Sequence, residues 1–205
     1  MKYTGPKARR CRKLGVNLFG SDKYDKILQR KPYGPGKSPK SRSGRKSEFA
    51  QQMMEKQKVR DIYGLSERQF SRLYREATAT KGQTGEVMKQ LLERRLDNAV
   101  YRAGFAMTRM QSRQFAGHGH FFVNGKRVTV PSYELKAGDT VTVRPASKGS
   151  PVFASIHAAH EKYMPPKWMK VDAAALCMEV VTLPDPENAE QGIDMRQVIE
   201  YYSRA

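Results

Sequence analysis

Two cysteines and one tryptophan stand in a chain of 205 residues. Cys11 and Cys177 are far apart, and no Cys-x-x-Cys pair occurs. That usage fits neither a disulfide-stapled secreted domain nor a zinc knuckle, so a reducing, cytoplasm-like compartment is expected. Long apolar runs are missing too: none approaches the roughly 18 residues of a membrane-spanning helix. The opening MKYTGPKARR lacks the apolar segment of a secretory signal. Acidic residues are scarcest where basic ones are densest. The first fifty positions carry fifteen Lys and Arg against three Asp and Glu, whereas residues 151–205 carry five against eight. A membrane partner is not expected, because this charge lies in a Gly/Pro-rich stretch and not along one amphipathic helix.

What is present is a net charge of +18. Self-repulsion of that size weakens a compact state unless an acidic partner offsets it. Nucleic acid is the usual partner, since each neutralised phosphate releases condensed counterions. Within the N-terminal stretch, GPKARRCRKLG reads as a short helix between Pro6 and Gly15, surrounded by Arg9, Arg10, Arg12 and Lys13 with little apolar surface to bury. RKPYGPGKSPKSRSGRK (30–46) adds Arg42, Arg45 and Lys46 to a composition that cannot cover a core. Residues 1–46 are therefore expected to form a basic arm that orders against phosphates.

Helical signals follow. SEFAQQMMEKQKVRDIYG (47–64) starts at Ser47 and stops at Gly64, and its Lys56 and Lys58 are expected nucleic-acid contacts. SERQ (66–69) is a capping box. In the helix it opens, Phe70, Leu73, Tyr74 and Ala77 share one face, and Arg68, Arg72 and Arg75 fall on the other. Thr84 caps a predicted helix running to about Ala103, with an apolar stripe from Val87 to Ala103. TRMQ (108–111) opens a short helix in which Met107, Met110 and Phe115 are expected to pack inward. Arg109 and Arg113, four apart, then meet on its face, where an anion between them would reverse their repulsion.

FFV, NG and KRVTV (121–130) read as strand, two-residue turn and strand. A further strand runs to Arg144, and short apolar pieces around 169–171 and 179–183 are candidate strands. A helix is expected from Ser150-Pro151, and Asp194 caps a closing helix. Helices followed by a small antiparallel sheet make the fold class α+β. His118 and His120 share a strand face but lack a third ligand. His157, His160 and Glu161 share a helix face, likewise without a companion. No metal or other cofactor is expected.

The stretch LLERRLDNAVYRAGFAMTRMQSRQFAGHGHFFVNGKRVTVPSYELKAGDTVTVR (91–144) resembles the S-four RNA-binding domain. EKQKVRDIYGLSERQF, KGQTGE, GPKARRCRKLG and VIEYYSR resemble other parts of the bacterial-type small-subunit ribosomal protein S-four family. The resemblance implies a basic arm (1–46), a helical domain (47–90) closed by the C-terminal helix (190–205), and an RNA-binding domain (91–189) with its core at 91–145. It implies direct binding of small-subunit ribosomal RNA at a multi-helix junction, early assembly and an influence on decoding accuracy. Neighbouring small-subunit proteins near the messenger entrance path are implied partners, with messenger RNA a further candidate. Some relatives hold zinc in a cysteine cluster of the arm; here Cys11 stands alone.

RNA of A-form hides its major groove, so shape is read through phosphates and 2′-hydroxyls. A helix-plus-hairpin unit can set Arg109, Arg113, Lys126 and Arg127 at fixed separations along a phosphate chain. Asn124-Gly125 would let backbone approach closely, and His118 would hydrogen-bond RNA. Two enzyme readings compete. RRLD (94–97) is similar to the catalytic motif of pseudouridine synthases, but Asp97 lies inside the RNA-binding module and no catalytic domain remains. A tyrosyl-transfer-RNA synthetase would need a nucleotide-binding half. A non-ribosomal S-four RNA-binding or chaperone protein is the alternative to the ribosomal reading.

Overall fold

A computed structural model describes residues 3–36, 38, 44–151, 153, 163–185, 189–190 and 192–204. The chain divides into two compact units, Met1–Gly85 with Glu190–Ala205, and Glu86–Ala189.

In the first unit, α1 (Lys7–Leu14) and α2 (Asp22–Arg30) pack together. Gly15 ends α1 at φ 74°, and its N–H returns to the Cys11 carbonyl at 2.7 Å. Cys11 and Leu18 are buried. Of the two helices, α1 buries Cys11 alone and α2 buries no residue fully. In SDKYDKIL the helix α2 starts after Ser21, and its Tyr24, Ile27 and Leu28 recur at helical spacing and are partly covered.

Helix α3 (Glu48–Ile62) begins where Ser47 Oγ accepts the Ala50 N–H, and it gives way to Gly64 at φ 63°. The expected capping box opens α4 (Glu67–Ala79), with the Ser66 and Gln69 side chains each accepting the other's backbone N–H. Phe70, Leu73 and Ala77 are buried, and removing a ring the size of Phe70 from water contributes about 2–3 kcal/mol. The closing helix (Met195–Ser203) lies along α3. There Gln52 Nε2 donates to Glu200 at 2.9 Å, Lys58 donates to the Gly192 carbonyl, and the Phe49 and Tyr201 rings stack at 5.5 Å.

In the second unit, the single helix expected from Thr84 to Ala103 is two, α5 (Thr84–Glu93) and α6 (Leu96–Arg102). The break occurs because a later loop claims the backbone here. Arg95 bridges Glu134, Leu135 N–H donates to Arg94 O at 2.9 Å, and Leu96 and Asp97 N–H donate to Tyr133 O and Pro131 O. Helix α7 (Arg109–Gly117) starts at Thr108, whose Oγ1 accepts the Gln111 N–H. Met107, expected to pack inward, is 75% exposed because it precedes the cap and its N–H is held by Gln111 Oε1.

Strands β1 (Phe121–Val123), β2 (Lys126–Val128) and β3 (Thr140–Val143) are joined by β4 (Met169–Asp172) and β5 (Cys177–Val180), with the short helix α8 (Pro145–Lys148) after β3. The antiparallel sheet has the order β2-β1-β3-β5-β4. Its inward residues Phe121, Val123, Val141, Val143, Met178 and Val180 meet Leu96, Val100 and Phe105 in one core. The helix expected from Ser150-Pro151 falls largely outside the described residues.

Candidate nucleic-acid interface

Helix α4 separates its two faces cleanly. Phe70, Leu73 and Ala77 are buried, while Arg68, Arg72 and Arg75 are exposed and in no ion pair among the described residues. The pairing of Glu76 with Arg72 that spacing permits is not formed. These guanidinium groups project from a rigid helix anchored on one side, which is what fixed phosphate spacing requires.

Lys56 does not join them. It is 4% exposed, donates to Glu67 at 2.9 Å and lies 4.3 Å from the Tyr201 ring centre. The expectation of RNA contact is corrected: helical spacing turns this lysine toward the closing helix, where it serves packing. Glu67 also accepts the Tyr202 hydroxyl at 2.7 Å. Burial works to raise its pKa, but the hydrogen bonds from Tyr202 and Lys56 and the charges of Lys56 and Arg60 outweigh it and hold the carboxyl below its usual range. Lys58 is similarly occupied, paired with Glu55 at 3.1 Å as well as with Gly192.

On α1, Arg9 and Lys13 are exposed. Arg10 instead reaches Asp61 and lies over the Tyr3 ring at 3.4 Å, and burial raises the Asp61 pKa in spite of Arg10 and Arg60. Arg12 donates to the Tyr33 and Gly34 carbonyls at 3.1 and 3.3 Å and lies 5.0 Å from the Tyr33 ring centre. It ties the turn after α2 onto α1. Arg45 and Lys46 are exposed; Arg42 lies outside the described residues.

In the second unit the expected Arg109–Arg113 pair is corrected. Arg113 turns inward to Asp97, at 3.3 Å, and Asp97 is already held by Arg95 at 2.8 Å. Burial pushes the Arg113 pKa down, and Asp97 opposes that. Arg109 Nε donates to Asn98 Oδ1 at 2.9 Å and its guanidinium lies 4.5 Å from the Tyr101 ring centre. Beside it, Glu93 is buried under Arg102 and Asn98, which donate at 2.7–3.0 Å. Asp97 is thus a structural carboxylate, and the RRLD motif is occupied by folding.

The hairpin carries two exposed cations, Lys126 and Arg127. Asn124 and Gly125 both have positive φ, 49° and 77°, as the tight turn demands. The Asn124 side chain is not turned to a ligand: its Nδ2 donates to Asp139 at 2.8 Å and its Oδ1 accepts the Thr140 N–H at 2.9 Å. Lys126 is exposed. Arg127 folds back so that Nη2 donates to His118 O at 3.1 Å and Nε to Gly119 O at 3.3 Å, covering carbonyls at the end of α7. His118 is exposed, while His120 is half-covered with Nδ1 2.9 Å from Ser147 Oγ. Burial first, then the charges of His118, Arg144 and Arg127, pushes the His120 pKa down. Arg144, exposed beyond β3 and missing from the sequence-based set, thus joins this basic corner. Its only sequence signal is a cation ending a strand.

Among the described residues no three His, Cys, Asp or Glu gather to hold a metal ion. Cys11 is buried, which pushes its thiol pKa up. His157, His160 and Glu161 lie outside the described residues. No helix among those described is long and apolar enough to cross a membrane.

Comparison with known proteins gives two family matches. Residues 2–93 match the ribosomal protein S4/S9 N-terminal domain and residues 94–141 the S4 domain. The matches meet where α5 ends. Similar curated proteins include the small ribosomal subunit protein uS4 of Roseiflexus sp. (strain RS-1), 42% identical over 206 residues and 99% of each chain. That of Desulfitobacterium hafniense (strain DSM 10664 / DCB-2) is 44% identical over 207 residues, again 99% of each. That of Treponema denticola is 42% identical over 205 residues, 100% of this chain and 99% of its own.

Proposed function

The chain belongs to the small ribosomal subunit protein uS4 family, and on that premise we propose that it binds small-subunit ribosomal RNA directly, at a multi-helix junction. The family is one of ribosomal proteins and not of enzymes. The observation that carries the proposal is the row Arg68, Arg72 and Arg75, exposed on a helix whose other face is core. The helix fixes the spacing of the row before RNA arrives, so binding has to order the three side chains but not the backbone that carries them. Arg9, Lys13, Arg45 and Lys46 in the first unit, and Arg109, His118, Lys126, Arg127 and Arg144 in the second, complete the proposed contacts. Arg12, Arg113 and Asn124 position them.

Early binding, nucleation of assembly and support of decoding accuracy belong to the same proposal, as do neighbouring small-subunit proteins near the messenger entrance path. Messenger RNA is a further candidate partner and the cytoplasmic ribosome the proposed location. The test is chemical footprinting of small-subunit ribosomal RNA with and without the purified chain. Protection confined to the helices around one junction is the expected result. Diffuse protection that follows phosphate accessibility would instead favour a general S4-domain RNA-binding or chaperone protein.

A further inference from the structure

An open cavity of about 790 Å3 lies in the first unit against α1, with Gly34, Pro35 and Lys46 on its margin. That volume is in the range of roughly 300–1,000 Å3 found for sites that enclose small ligands. Three cations on its rim, Arg9, Lys13 and Lys46, are exposed and in no ion pair among the described residues. The rest of the lining is mixed: Arg10 and Arg12 also face it but are tied to Asp61 and to the Tyr33 and Gly34 carbonyls. Leu14 and Met54 are apolar, and the Tyr3 ring is held in place by the Arg10 guanidinium 3.4 Å from its centre. Arg10 is fixed in turn by Asp61. Gly15 leaves open space where a side chain would stand.

Cations alone would suit any phosphate. An apolar patch of Leu14 and Met54 beside an aromatic ring suits a base, and a base is offered only where RNA is unpaired. We propose that this cavity receives a single unpaired nucleotide of the RNA, its base against Leu14, Met54 and Tyr3 and its phosphates on Arg9, Lys13 and Lys46. The proposal rests on the ribosomal-RNA reading and assigns one pocket within it. A duplex segment cannot fill the site, because its bases face one another. A free nucleoside monophosphate has the same chemistry, and the test separates the two sources.

The full chain is titrated with a small-subunit ribosomal-RNA junction fragment in excess transfer RNA. Each unpaired nucleotide of the fragment is then replaced in turn by an abasic one that keeps its phosphate. At one position, removing the base should weaken binding at least fivefold, the lower end for a stacked base. With Tyr3→Ala, or with Met54→Trp filling the lining, the same abasic change should have no further effect. Tyr3 precedes the first helix, so its variant keeps the test decisive if Met54→Trp does not fold. Neutral abasic changes throughout, or equal weakening in wild type and both variants, would overturn the pocket while competitor-resistant binding kept the ribosomal reading. Failure of the intact fragment to resist competitor would remove both. Adenosine or guanosine monophosphate protecting the cavity in a chain blind to every abasic change would overturn the RNA assignment in favour of a free-nucleotide site.

Discussion

Arg113 lies against Asp97, with 3.3 Å between Nη1 and Oδ2, instead of standing beside Arg109 on the open face of α7. Asp97 is almost fully buried, and Ser112 donates to its backbone carbonyl. A buried carboxylate must keep its partners, because an uncompensated charge in the interior costs several kcal/mol. Replacing Arg113 by Ala should therefore destabilise the chain by about 1–3 kcal/mol, since Arg95 remains as partner. Asp97→Ala strands two guanidinium groups and should cost about 3–5 kcal/mol. Urea unfolding monitored by circular dichroism checks both; equal stability of wild type and Arg113→Ala would place that side chain in solvent.

Gly119 illustrates a constraint on the hairpin. It has φ 71°, and a Cβ added there would stand 2.4 Å from Arg127 Nε. Gly119→Ala should cost about 1–2 kcal/mol from the left-handed backbone alone, and it should displace Arg127 from the carbonyls it covers. The expected readout is a lower unfolding midpoint together with altered Arg127 Nε–H signals in NMR.

Much of this was legible in the sequence, for reasons that differ between elements. Ser66-x-x-Gln69 and Asn124-Gly125 are local codes, set by which backbone N–H a short side chain can reach and by which residues tolerate positive φ. The α5–α6 break was hidden because it depends on Tyr133, Glu134 and Leu135, about forty positions later. Lys56 and Arg113 have the composition of RNA contacts, yet pairing with carboxylates outside their own helical turn decides their role. Charge density marks a binding surface; tertiary partners decide which cations reach it.

The half-covered His120 gives stability a pH dependence. Its pKa is lowered in the fold, so the unfolded chain takes up the proton more readily. Its contribution is complete above the unfolded value of about 6.5 and is lost as pH falls through the lowered folded value. Between pH values of about 7.5 and 5.5 the unfolding midpoint should decline, and His120→Asn should flatten that limb. An unchanged slope in the variant would assign the decline to other groups.

The exposed and buried cations of the first unit should separate experimentally. Replacing Arg68, Arg72 and Arg75 together by Ala should leave stability within about 0.5 kcal/mol at each site. Lys56→Ala should cost about 1–3 kcal/mol, because it removes the hydrogen bond to Glu67 and the packing on Tyr201. Thermal unfolding of the two proteins side by side decides this.

The most direct measurement is equilibrium binding of the wild-type chain and the Arg68, Arg72, Arg75 triple variant to a small-subunit ribosomal-RNA junction fragment. It is run across salt concentration, with transfer RNA in excess. The expected result is wild-type binding that resists the competitor. In the triple variant the slope of log K against log salt should be shallower by about 0.7–0.9 for each phosphate that is no longer neutralised. Wild-type affinity that transfer RNA erases, or identical slopes for the two proteins, would contradict recognition of the junction through this arginine face.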